Sequence, residues 1–380
     1  MAKSHDEAYV IPVNREVFMT GRDYFLRVQA QTPTRYWINN PSREQADVAI
    51  ECGAAGCTLN PSYTEKMLSN DKERPLILKR IDELIDSESD DTIVLEKLQS
   101  ELVCGIAEKF LPIYESSGAE QGFVSIQGDP YNEKANNIIS YGKKNAAKYP
   151  NITPKVPVVP EGLTAIGELI ASGISVNSTE IFAIDQFISV AELYVKITKG
   201  MKNKPTLFYS HIAGIFDEYL IKYIKENAVS ISPDTVWQAG CTVAKKMEAM
   251  RIERRYPVRM ISGGARGLQH FTEIVGAQAQ VTINWAGASD ALLDENPAVV
   301  QRFLRPTPQS VIDELVEKLP DFKKAWLING LSADEYEHFG PVQLFWSSFA
   351  ASWKAVLDII TQRRLASASP IRAFSAPGGA

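Results

Sequence analysis

The feature that most constrains this chain is an alternation of short apolar runs with longer helical patterns, repeated between residues 35 and 290. The first run covers 35–40. Pro41 and Ser42 end it, and Ser42 supplies an N-cap for a helix over 43–52. A second run, 56–59, closes on Asn60-Pro61. Strand, helix and strand in so short a span form a βαβ unit, which requires parallel pairing. Six further strands are expected at 122–128, 153–159, 173–178, 206–209, 258–262 and 280–285. Helical patterns separate them at 133–148, 163–171, 184–199, 216–227 with 232–250, and 267–275. Eight parallel strands alternating with helices imply an α/β fold closed into a (β/α)8, or TIM, barrel. The competing open, doubly wound sheet lacks its usual Gly-x-Gly-x-x-Gly after the first strand.

Around this core the pattern changes. Residues 1–20 read as a loose arm, and 22–31 as a helix that closes one end of the fold. The segment 62–121 is a long helical elaboration between the second and third strands. Its acidic stretch, 82–91, is either a cation site or a solvated helix end. After the eighth strand come helices over 290–318 and 334–338. A strongly apolar helix over 343–360 follows, expected to cross the outside of the barrel or a neighbour's mouth. From 366 to 380 the Ser, Ala, Pro and Gly content reads as a disordered tail. The expectation is one barrel domain over 1–365, with an N-terminal extension and extra C-terminal helices.

Composition excludes several classes. With a net charge of −6 the chain lacks the basic balance of a nucleic-acid binder. No run of 18 apolar residues offers a membrane span. The N-terminus has no apolar signal-peptide core. Cys52, Cys57, Cys104 and Cys241 have neither metal-ligand spacing nor disulfide-framework density, so a reduced, cytoplasmic setting is expected, with no metal and no cofactor. The sequence leaves a homo-oligomer open.

One stretch carries chemistry. In Ile152-Thr-Pro-Lys-Val-Pro-Val-Val-Pro-Glu-Gly162, Lys155 sits in an apolar strand followed by a turn and a helix. Burial disfavours the ammonium, and a neutral lysine is the nucleophile of Schiff-base chemistry. A strand-end lysine can also point to solvent, so the neighbouring strands matter. Asn39, Asn60, Gln127, Lys155, Asn177, Thr179 and Ser210 all fall near strand ends, where barrel active sites lie. Asn177 and Thr179, two apart, share a face.

The order of segments resembles the transaldolase family of Schiff-base aldolases. The residues that carry it are Trp37-Ile-Asn-Asn40, Gly56-Cys-Thr-Leu-Asn-Pro-Ser62, Val124-Ser-Ile-Gln-Gly-Asp-Pro130, the lysine stretch and Gly173-Ile-Ser-Val-Asn-Ser-Thr-Glu-Ile-Phe182. Tyr209-Ser210 with Asp217, and Ser262-Gly-Gly-Ala-Arg266, continue it to about residue 290. The resemblance implies Lys155 as nucleophile, with Asn60 and Asn177 holding substrate hydroxyls and positioning the lysine. It further implies Thr179 at the catalytic water, Ser210 as a substrate-binding serine and Arg266 as a phosphate ligand. Barrel phosphate sites commonly form after strands seven and eight, which supports the last role independently.

Three positions depart from the family. Asn39 replaces an aspartate, and an amide cannot exchange a proton as a carboxylate does. Gln127 stands where many members carry a glutamate beside the water, and a glutamine there resembles the related sugar-phosphate aldolase branch. Ile215 occupies the place of a second phosphate-binding arginine. His211, beside Ser210, is the side chain whose ordinary pKa lies nearest neutrality, or else a hydrogen-bonded structural residue. The implied reaction moves a three-carbon dihydroxyacetone unit from a ketose phosphate to an aldose phosphate. Aldol cleavage without transfer, and a catalytically silent family member that binds a sugar phosphate or a partner protein, are the alternatives.

Overall fold

The structure, a computed structural model, describes residues 21–368. The expected arm at 1–20 and the tail beyond 368 lie outside the described residues. Eight strands form: β1 (Arg35–Asn39), β2 (Cys57–Thr58), β3 (Val124–Ile126), β4 (Ile152–Pro157), β5 (Val176–Ile181), β6 (Leu207–His211), β7 (Arg259–Ser262) and β8 (Ala279–Ile283). They pair in chain order, and β8 returns to β1 in parallel, closing a (β/α)8 barrel. The expected positions hold with one notable shift. β5 starts at Val176 rather than 173, because Gly173, at φ +79°, turns the chain out of the preceding helix Pro160–Ala171.

Local chemistry sets several boundaries. Ser42 caps the helix Arg43–Glu51: its hydroxyl accepts from Gln45 N, while the Gln45 side chain accepts from Ser42 N in return. After β4 the first turn of the helix Pro160–Ala171 passes close to the strand end at Gly162, where a Cβ would lie 1.8 Å from the Pro157 carbonyl oxygen. No larger residue fits that turn.

The barrel interior has two halves. Side chains two apart on a strand share a face. Trp37, Phe123, Phe208 and Ile261 point inward with Ala55 and form an apolar cluster separate from the main core. Trp37 and Phe123 meet the Phe208 ring edge-on at centroid distances of 5.4 and 5.2 Å. Two residues further along those strands stand Asn39, Ser125 and Ser210. The floor is apolar and the C-terminal end is polar.

The apolar C-terminal helix (Gly340–Ala368) packs on the outer helices Arg74–Ile85 and Asp91–Ser116 toward its far end, but its first half does not stay outside. It lies over the barrel's own mouth, where Phe345, Ser348 and Phe349 line the cavity above Lys155. Trp346 Nε1 donates to Pro130 O at 2.9 Å, and Tyr131 donates to Ala350 O at 3.1 Å, tying it to the loop after β3. Its far end explains the acidic stretch. Arg363 pairs with Asp82, and Arg364 with Asp91 at 2.7 Å, so these two carboxylates clamp the helix and are not simply solvated. Among the described residues no acidic cluster could hold a metal ion. The helix also continues through 366–368, where a disordered tail is expected from composition.

Candidate active site

Lys155 is carried by β4, every residue of which is buried. Its register partner on β5 is Asn177, and Pro157 pairs with Thr179. The lysine is 7% exposed, at the bottom of a cavity of about 170 Å³. Its Nζ lies 5.7 and 5.4 Å from the ring centroids of Phe345 and Phe349, which shield it from above. No carboxylate among the described residues comes within ion-pair distance of it. Burial therefore holds the ammonium below the ordinary lysine range, and the charge of Glu180 opposes that only in part.

The other expected residues divide into two groups. Asn39, Asn60, Ser210 and Arg266 line the same cavity as Lys155. Gln127, Asn177 and Thr179 do not. Asn177 stands behind Ser210, whose hydroxyl donates to Asn177 Oδ1 at 2.6 Å. The Asn177 Nδ2 and Thr179 Oγ1 atoms are buried without a protein partner among the described residues. Buried polar atoms are rarely left so. Gln127 reaches Lys155 from another side, since both line a small pocket of about 30 Å³.

The departures have clear geometry. Asn39 Nδ2 donates to Asn284 Oδ1 at 2.9 Å, and Asn39 Oδ1 accepts from Thr58 Oγ1 at 2.9 Å. Both ends of the amide are engaged. Arg266 is half exposed and bonded through Nε to Glu218 at 2.5 Å. Its Nη1 turns back to the carbonyls of Gly264 and Ala265, each at 3.3 Å. Ile215 lines the cavity where a second arginine is expected, and is buried.

His211 does not line the cavity that holds Lys155. It points out of the barrel, between the carbonyls of Ile181 and Gly240, each at 2.9 Å. Burial pushes it down to about 4, against those carbonyls. Asp217 is structural too: it accepts from Gly240 N at 2.7 Å and lies 3.0 Å from His270 Nε2.

Sequence reasoning misses Glu180. It is 1% exposed, at the end of β5, and accepts from Gln127 Nε2 at 3.1 Å. Burial pushes its carboxyl well up, and the Lys155 charge opposes this. The available signal was a lone charge between Thr179 and Ile181-Phe182.

A family model described as transaldolase/fructose-6-phosphate aldolase matches residues 36–288, from within β1 to beyond β8. The chain belongs to that family. Transaldolases from Trichodesmium erythraeum, Thiobacillus denitrificans and Mycobacterium ulcerans are among its relatives, at 27%, 29% and 27% identity. The first is matched over 50% of this chain and 55% of its own. The second is matched over 42% and 46%, and the third over 42% and 44%. The chain thus spans about half the length of the curated relatives it matches. The family match stops short of the C-terminal helix, so the rings over Lys155 come from outside it.

Proposed function

We propose that this transaldolase-family protein is an enzyme that works through a Schiff base on Lys155. It transfers a three-carbon dihydroxyacetone unit from a ketose phosphate to an aldose phosphate. The observation that carries the reading is a buried lysine without an ion-pair partner, at the C-terminal end of the barrel, with its ammonium form destabilised. The neutral amine adds to the ketose carbonyl and water leaves, giving an iminium. Cleavage of the bond between the α and β carbons sends its electron pair into that iminium, while the β-hydroxyl gives up its proton to water and its oxygen becomes the carbonyl of the released aldehyde. The retained enamine then adds to the acceptor aldehyde, and water releases the product.

Asn60 and Ser210 hold substrate hydroxyls, with Asn177 fixing Ser210 from behind. Thr179 and Gln127 attend the water that leaves and returns. Asn39 binds substrate but cannot take the hydroxyl proton, which slows cleavage. Arg266 meets the phosphate. A cytoplasmic setting fits, since a reduced compartment keeps the four unpaired cysteines as thiols.

Asn39 favours a second reading, a silent protein that binds sugar phosphates without cleaving them. Borohydride separates the two. Incubation with fructose 6-phosphate or dihydroxyacetone plus borohydride should leave a reduced adduct on Lys155, located by peptide mass. An adduct on another lysine, with Lys155 unmodified, would sink the assignment.

A further inference from the structure

With Lys155 as the nucleophile, the buried acid nearest it in the strand order, Glu180, still has no part. Glu180 belongs to β5, where side chains alternate between the barrel interior and the surrounding helices. Asn177 and Thr179 take the interior, so regular alternation would send Glu180 outward. The strand breaks that rule locally. Its register with β6 jumps between Ser178 and Ile181, and Glu180 takes φ +61°, an uncommon conformation for a residue with a Cβ. Gln186 fixes the distorted backbone by donating from Nε2 to Glu180 O at 2.9 Å. The carboxylate is thereby turned toward β3, where Gln127 Nε2 donates to it at 3.1 Å. Lys155 and Glu180 come from the neighbouring strands β4 and β5, and Gln127 directly follows β3 beside them.

Resting on the Schiff-base reading, we propose that Glu180 is the counter-charge of the iminium, neutral while Lys155 is a free amine and ionised once the Schiff base forms. The atoms balance without exchange with solvent. An amine, a protonated carboxyl and a ketone become an iminium, a carboxylate and one water. In a dry barrel this matters, because an isolated cation there is costly and a paired one less so. Gln127 links the two groups across a gap longer than an ion pair, since it lines a pocket with Lys155 and donates to Glu180, and the charge of each offsets the burial of the other.

The remaining charged groups facing Glu180 line a second cavity of about 310 Å³ under the C-terminal helix. They are Glu133 and Lys134 after β3, Glu161 at the start of the helix after β4, and Glu337 before the C-terminal helix. Burial, followed by the charges of Glu180, Glu337 and Asp129, pushes Glu133 well up. Glu180 acts through Lys155 and is a positioning residue, not the group that breaks the carbon–carbon bond.

The test uses the whole protein, dihydroxyacetone and borohydride across a pH series. Glu180→Gln keeps an acceptor for Gln127 but loses the charge. It should still give the adduct at Lys155, with the yield falling about tenfold or more. The pH profile should move to lower pH, since the amine loses a nearby anion. Glu180→Asp should recover part of both effects. An unchanged yield and profile in Glu180→Gln, with normal trapping in the wild type, overturns this inference alone. Absence of any Lys155 adduct in the wild type overturns the Schiff-base reading and this one together. Should Glu180→Gln fail to fold, infrared difference spectra of the unmodified enzyme decide. Dihydroxyacetone should convert a protonated carboxyl band into carboxylate as the iminium forms, and a spectrum without that loss overturns the proposal.

Discussion

Lys155 and Arg266 line one cavity, yet their surroundings are opposite. The lysine is buried, roofed by two aromatic rings and without an ion-pair partner. The arginine is half exposed, bonded to Glu218 and folded onto its own loop. A charge whose solvation has already been stripped away is prepared for chemistry, because its neutral form lies within easy reach. A charge already satisfied by a carboxylate must exchange one partner for another before it can grip a phosphate. The covalent end of the site is therefore built more tightly than the binding end. This ranks the effects that substitutions should have.

The largest effect belongs to Lys155. Lys155→Met should abolish trapping and lower turnover by more than about 10⁴-fold, as loss of a covalent nucleophile does. In the wild type, the trapping rate should rise with pH as the amine is freed, and level off below the ordinary lysine value of about 10.4. The lowered pKa also fixes a sign in stability. Between the folded and unfolded values of Lys155, the unfolded chain binds more protons, so stability rises with pH across that window. Urea denaturation at a series of pH values should show this rise in the wild type and lose it in Lys155→Met. A trapping profile that levels off only near the ordinary lysine value would erase the contrast between the two ends of the cavity.

Next comes Asn39. Asn39→Asp places a carboxylate at the cavity wall, within reach of the Thr58 hydroxyl and Asn284. If proton transfer limits cleavage, turnover of an ordinary ketose phosphate should rise by up to about 10² to 10⁴, the scale of a general acid–base group. The new anion should also make Lys155 more basic and shift the activity profile to higher pH. Lower activity on every sugar phosphate would show a mouth adapted to another substrate. No change, with no trapping in the wild type, would favour the silent binding protein.

What the sequence disclosed follows from the range of each interaction. Hydrophobic periodicity is local, so all eight strands were legible, as was the capping by Ser42. Lys155, Asn39, Asn60, Ser210 and Arg266 could be placed at one end of the barrel because strand ends converge there. Glu180 was hidden because a period of two assigns it outward, and the register jump that reverses it arises from pairing with β6 and from Gln186. The path of the C-terminal helix was hidden for a related reason. An apolar helix declares that it is covered, not what covers it. Its anchors, Asp82 and Asp91, lie more than two hundred residues earlier in the chain. Their acidic stretch alone could not reveal that pairing.

The smallest expected effect concerns the other end of the cavity. If Arg266 binds the substrate phosphate, Glu218 competes with that phosphate for the guanidinium. Glu218→Gln should therefore lower KM for a phosphorylated ketose and leave its unphosphorylated counterpart unchanged. Exposed ion pairs are typically worth about 0 to 1 kcal/mol, so the gain should be no more than about fivefold. Arg266→Ala should act in the reverse direction, raising KM for the phosphorylated sugar far more than for the other. Equal effects of Arg266→Ala on both sugars would remove the phosphate role. The single arginine at this corner, beside Ile215 and held by Glu218, would then mark a cavity whose grip on the substrate rests on Lys155 and the neutral amides and hydroxyls around it.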